Sequence, residues 1–245
     1  MSLLTVANLT KAFGGLVANR EVSFTLAEGE ILGIIGPNGA GKTCLFNCIT
    51  GFLQVDTGTV HFQGREITNQ PPHAISRSGI ARTFQLVRAM PDMTVLENVM
   101  IGAFCRLEHT DAAREKALDV LRFTGLLEKR DVRARELPIA IQKRMELARA
   151  LATDPKLLML DEVMSGLTGQ ETAEAVELLK RIHGQCEITL LLIEHVMEVI
   201  MPLSHRVIVL DQGVKIAEGL PSEIANTPRV IEAYLGEKYA RSQKH

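Results

Sequence analysis

The chain has 245 residues, 46% apolar and 23% charged, which is enough to bury a substantial core and too ordinary for a disordered or fibrous chain. A formal charge of -2 and a pI near 6.4 argue against a nucleic-acid partner, which calls for a concentrated basic face. The longest apolar segments, such as ITLLLI at Ile188–Ile193, are far too short to span a bilayer, and the opening MSLLTVANLTKAF lacks a basic start before a long apolar run. A soluble, cytoplasmic chain is therefore expected.

The first sixty residues read as short β-rich runs: LLTVANL, REVSFTL, EILGIIG and, after a helix that Gly51 stops, GTVHF. Cys44 and Cys48 stand four apart on that helix. With Cys105 and Cys186 they form neither a metal-ligand spacing nor a disulfide framework, so reduced thiols are expected. From about Val87 to Thr153 helical patterns take over: TVLENVMIGAF, DAAREKALDVLRFTGLLEK over Asp111–Lys129, and IQKRMELARALA. Thr94 and Glu97 have the spacing of a capping box. The aliphatic runs KLLML, ITLLLI and HRVIVL then suit strands buried on both faces of a parallel sheet, and TAEAVELLKRIHG and VMEVIMPL are the helices between them. This alternation predicts an α/β fold: a P-loop core with a mostly parallel sheet, an N-terminal antiparallel β subdomain and an inserted α-helical subdomain. The expected organisation is one nucleotide-binding domain over 1–245, with 1–86 and 154–245 as core and 87–153 as the helical insertion.

Two motifs carry chemistry. GPNGAGKT follows the strand ILGII and precedes a helix, the context that a phosphate-binding loop requires. In such a loop the backbone amides of Gly36, Pro37, Asn38, Gly39, Ala40 and Gly41 (proline excepted) wrap phosphate oxygens, Lys42 adds a point charge and the Thr43 hydroxyl ligates magnesium. LLMLDE ends an aliphatic strand in two carboxylates. Asp161 suits magnesium through water, and Glu162 is the natural general base or water-orienting residue. A lone Asp-Glu at a strand end is ordinarily a solvated turn, so this pair draws its meaning from the loop.

With GPNGAGKT, LLMLDE, a glutamine in ARTFQ and a histidine in LLIEH in that order, the chain resembles an ATP-binding cassette subunit along its whole length. The ARTFQ block, the IEH before the late histidine and the tail PSEIANTPRVIEAYLGE make it most similar to the ATPase subunits of branched-chain amino acid importers, and lipopolysaccharide-export ATPases look similar in the tail. The resemblance implies ATP and Mg2+ as cofactors, with Gln85 contacting metal and attacking water, His195 contacting the γ-phosphate and Phe13 stacking on adenine. It also implies transmembrane permease subunits, a second ATPase subunit in a hetero- or homodimer, an indirect solute-binding protein and a place at the inner face of the membrane. Export of a lipid or polysaccharide, or a soluble non-transport role, are the alternatives. The run LVRAMPDMTV, rich in Leu, Val and Met, either packs the helical subdomain or forms a groove for a membrane subunit's helix, with Met90 and Met93 the contacts.

One segment departs from the family. Where members usually read LSGGQ, this chain reads LPIAI, with Pro138 for serine, Ile139 and Ala140 for the glycines and Ile141 for glutamine, and Arg144 falls on the family's later arginine. Proline has neither hydroxyl nor N–H, and β-branched Ile139 resists close backbone approach. The segment still suits a helix start, with Pro138 at the first helical position and Ile141, Met145 and Ala148 as its packed face. Thr168, where an aspartate or asparagine usually stands, and Val163, in place of a common proline, are lesser departures. An asymmetric dimer is expected, in which another ATPase subunit supplies the missing signature.

Overall fold

The computed structural model describes residues 2–234, and the chain divides into two compact units: Met1–Pro72 with Thr189–His245, and His73–Ile188. Residues 235–237, which end the PSEIANTPRVIEAYLGE tail, lie outside the described residues. In chain order the elements are β1 (Ser2–Phe13), β2 (Leu16–Ala27), β3 (Ile31–Ile35), α1 (Lys42–Ile49), β4 (Thr57–Phe62) and β5 (Arg65–Glu66). There follow α2 (Pro72–Ser78), β6 (Ile80–Arg82), α3 (Val95–Ala103), α4 (Thr110–Thr124), α5 (Ile139–Ala152), β7 (Leu157–Asp161) and α6 (Gly169–Cys186). The chain closes with β8 (Thr189–Ile193), α7 (Met197–Leu203), β9 (Arg206–Asp211), β10 (Val214–Gly219) and α8 (Pro221–Ala225).

In the first unit β2, β1, β4 and β5 form an antiparallel sheet. The strand β1 runs past the LLTVANL seen in the sequence to Phe13, bending where Asn8 takes φ 50 and the register with β2 shifts. Separately, β3 lies between β8 and β9, parallel to both, and β10 folds back antiparallel on β9. Every residue of β3 and β8 is buried, as continuous aliphatic runs require of strands covered on both faces. The alternating, half-exposed β10 has no such run and leaves no comparable mark in the sequence.

In the second unit β6 pairs parallel to β7, and α3, α4 and α5 pack together. Thr94 caps α3 with the full capping box, its side chain accepting from Glu97 N–H while the Glu97 carboxylate accepts from Thr94 N–H at 2.7 Å. The Asp111–Lys129 pattern is not one helix. Gly125 takes φ 72, its N–H returns to the Arg122 carbonyl, and the chain leaves α4 at Thr124 before a separate 3₁₀ turn at Leu127–Lys129. Helices α3 and α5 meet through Gly102, where an added Cβ would stand 2.1 Å from the Arg149 carbonyl oxygen and 3.1 Å from Ala152 Cβ.

The paired strands β6 and β7 both end in charge. Arg82 Nη2 meets Asp161 Oδ2 at 2.8 Å, with the two side chains only 5% and 1% exposed. Burial pushes the Arg82 guanidinium below its ordinary range, and the Asp161 carboxylate pulls it back up. Two stability measurements check these contacts. Gly102→Ala should cost about 1–3 kcal/mol in chemical denaturation, because backbone rather than a flexible side chain blocks the added methyl. Arg82→Met should cost about 3–5 kcal/mol by the same method, since it takes the compensating cation away from a buried carboxylate.

Candidate functional site

The Gly36–Thr43 loop joins buried β3 to the N-terminus of α1 within the first unit. Lys42 is buried and its ammonium turns into the loop, donating to the carbonyls of Gly36 at 2.7 Å and Pro37 at 3.0 Å. Asn38, Gly39 and Thr43 are exposed, Pro37 and Gly41 partly so, and Ala40 is buried. The loop is held from behind. Buried Asn19 donates to the Gly41 carbonyl at 3.2 Å, and Gly213 N–H donates to the Ala40 carbonyl at 3.1 Å. Gly41 has φ 93, and a Cβ there would stand 2.3 Å from the Ala18 carbonyl oxygen, so only glycine lets the loop pass this clamp. The N-cap of α1 is Gly41, so no side chain caps the helix, and the loop meets the positive end of its dipole.

Phe13 sits at the end of β1, 48% exposed, with the Lys11 ammonium 5.3 Å from the ring centroid. Its ring is a surface feature rather than core. His195 is exposed in the bend after β8, directly beyond buried Glu194, and the N-cap of α7 is Val196.

Asp161, Glu162 and Gln85 belong to the second unit. Gln85 lies three residues past β6 and its amide donates to Glu162 Oε2 at 2.7 Å, so two residues far apart in the chain meet directly. Glu162 takes a left-handed backbone, φ 49, at the head of the turn 162–166. That conformation is uncommon for a residue with a Cβ and is a form of strain that concentrates at functional sites. The Gln85 loop is fixed by groups that sequence patterns do not reveal. Phe84 lies between the Arg82 and Arg88 guanidinium groups, at 5.0 and 4.5 Å. Glu146, buried on α5, accepts a long bond from Arg88 N–H at 3.5 Å, and burial raises its carboxyl above the usual range. Buried Asn98 gathers the carbonyls of Met90, Met93 and Thr94 at 3.1, 3.3 and 3.0 Å, while Met90 and Met93 stay partly exposed.

At the departing segment, Pro138 is the N-cap of α5 rather than its first helical residue, and its carbonyl accepts from both Ile141 and Gln142 N–H at 3.0 Å. Met145 and Ala148 are fully buried, whereas Ile141 is only partly so. Ile139 stands 51% exposed at the tip. Thr168 serves its own helix, capping α6 by accepting from Glu171 N–H in a second capping box.

Magnesium takes hard oxygen donors and usually keeps waters and substrate phosphates in its shell. The hydroxyl of Thr43, the amide oxygen of Gln85 and the carboxylate of Asp161 are donors of that kind. Among the described residues no group of three or more His, Cys, Asp or Glu is placed to hold a metal ion. No helix among them is long and apolar enough to cross a membrane.

A family model described as ABC transporter matches residues 19–165, and one described as branched-chain amino acid ATP-binding cassette transporter matches 214–240. The chain is 44% identical to the high-affinity branched-chain amino acid transport ATP-binding protein LivG of Salmonella typhimurium, over 96% of this chain and 98% of that protein. It is 39% identical to BraF of Pseudomonas aeruginosa, a protein of the same description, with the same coverage of each chain. The crystal structure of the ADP conformation of MJ1267, an ATP-binding cassette of an ABC transporter, superposes with a TM-score of 0.87 at 35% identity, covering 97% of this chain and 100% of that one. The family model over residues 19–165 and the similarity over nearly the full length agree: the chain belongs to the ATP-binding cassette transporter family and is an ATPase of that family.

Proposed function

We propose that this chain binds and hydrolyses ATP to power an importer of branched-chain amino acids or a similar small solute. The solute class rests on the names of the relatives, LivG and BraF, and on the second family match. The observation that carries the hydrolytic reading is the 2.7 Å hydrogen bond from Gln85 to Glu162. A carboxylate and an amide held together at a strained turn can accept a proton from an attacking water and fix its direction.

The phosphates lie against the amides of the Gly36–Thr43 loop, and Lys42 exchanges its contacts with the Gly36 and Pro37 carbonyls for phosphate oxygens. Thr43, Gln85 and Asp161 would hold Mg2+, which when bound would neutralise charge on the transferred phosphoryl group. Glu162 is the general base, His195 reaches the γ-phosphate and Phe13 offers a face to adenine, its exposure leaving the ring accessible. The region of Met90 and Met93 receives a cytoplasmic helix of a permease subunit, at the inner face of the membrane. A solute-binding protein acts on the assembly indirectly, and this chain does not touch the solute.

The first turn of α5 faces nucleotide held by a second ATPase subunit. Its helix start keeps the Ile139 and Ala140 amides free of intrahelical acceptors, as any helix does, but Pro138 supplies neither hydroxyl nor N–H. We read this as an asymmetric dimer, in which the site built on this chain's loop is completed by a partner with a full signature and the site facing Pro138–Ile141 turns over slowly.

Two measurements test these readings. Glu162→Gln should bind ATP with near wild-type affinity and lose about 100-fold or more in turnover; undiminished hydrolysis would remove Glu162 from the base role. Combining Pro138→Ser, Ile139→Gly, Ala140→Gly and Ile141→Gln should raise turnover in the full transporter by about tenfold or more. An unchanged rate would mean that the missing donors do not limit it.

A further inference from the structure

The turn after β7 is held by a cation that belongs to neither the phosphate loop nor the carboxylate pair. Lys143, one turn into α5, donates to the backbone carbonyls of Glu162 at 3.4 Å, Val163 at 3.2 Å and Ser165 at 2.5 Å. An ammonium carries three N–H groups, and here three carbonyls of one turn converge on it. Within the turn, Ser165 N–H donates to the Glu162 carbonyl and Leu167 N–H to the Met164 carbonyl, both at 3.2 Å. A cavity of about 40 Å3 lined by Ala140, Lys143, Leu147, Val163, Met164 and Leu178 among others lies beside it. A left-handed residue with a Cβ persists only where the surrounding structure fixes it.

We propose that Lys143 is the positioning residue for Glu162: by gathering these carbonyls it keeps the turn in the form that presents the Glu162 carboxylate to the Gln85 amide. This rests on the hydrolytic reading of Glu162 above. It also gives the departing segment a second use. Ile139 and Lys143 are four apart and share one face of α5, so a partner pressing on exposed Ile139 bears on the residue that sets the chain's own Glu162. Arg144, the next residue, ties α5 to α6 through Glu174 at 2.7 Å, so the start of α5 is braced on both sides of the turn.

The full transporter assembled with the chain carrying Lys143→Met, which keeps an aliphatic stem and removes the ammonium, is the test. The rate kcat for ATP should fall about 10- to 100-fold with KM unchanged, the loss expected of a misplaced catalytic group. Lys143→Arg, which keeps a cation and N–H donors, should recover part of it. In a Glu162→Gln background Lys143→Met should lower the residual rate no further, because it acts through Glu162. Amide exchange at Ser165 should quicken about tenfold or more while exchange in α4 stays unchanged. A wild-type kcat, an equal fold-loss in the Glu162→Gln background, or unchanged exchange at Ser165 would each overturn the proposal. Lys143→Gln, with one short amide, gives the same readings if Lys143→Met does not fold. Turnover by the full transporter carrying the unmutated chain separates the two ideas: if absent, the hydrolytic role of Glu162 fails, and if present alongside an unimpaired Lys143→Met assembly, the positioning role fails.

Discussion

Strand β7 is buried along all five residues and then ends in two consecutive carboxylates, and much of the second unit answers that constraint. A carboxylate at the end of a buried strand is costly unless it is paired and hydrogen-bonded. Asp161 is met by Arg82, which requires a neighbouring strand of matching register, and β6 is just long enough to deliver it. Glu162 escapes the strand direction through a left-handed turn, and its carboxylate meets Gln85, three residues beyond Arg82 on the same connection. The carbonyls freed by that turn go to Lys143 of α5. The pairings that solve the burial problem therefore also assemble the proposed catalytic pair.

In the first unit the corresponding constraint falls on the proposed phosphate loop, which is held fixed in shape. Burial of β3 anchors its start, and Asn19 and Gly213 hold its far side through the carbonyls of Gly41 and Ala40. These clamps use carbonyls of the loop rather than its amides. Lys42, buried with its charge on two loop carbonyls, is desolvated in part before any phosphate arrives. This lowers the reorganisation needed when it changes partners.

What was legible in the sequence was whatever has a local pattern. The buried strands announce themselves as aliphatic runs, the phosphate loop by glycine spacing and the start of α3 by Thr94 and Glu97. The three-residue β6 is too short for a period, and half-exposed β10 offers no continuous apolar run. Gly125 was a readable stop inside the Asp111–Lys129 pattern, overridden by apolar spacing that continues into the 3₁₀ turn. Arg82, Asn98, Lys143 and Glu146 were not legible as site supports, because each acts on backbone or charge brought near only by folding. Pro138 shows the boundary between the two kinds of information: its chemistry was clear from the sequence, its place as N-cap only from the fold.

The central claim is that the Pro138–Ile141 segment does not close over nucleotide on a second copy of this chain, so the working assembly pairs it with a different ATPase subunit. The most direct measurement is the size in solution of the Glu162→Gln protein, alone, with and without ATP and Mg2+, since slowed hydrolysis traps a nucleotide-bound dimer. The predicted result is a protein that binds ATP and remains monomeric. An ATP-dependent homodimer would contradict the claim, and would mean that Pro138–Ile141 serves as a signature in its own right.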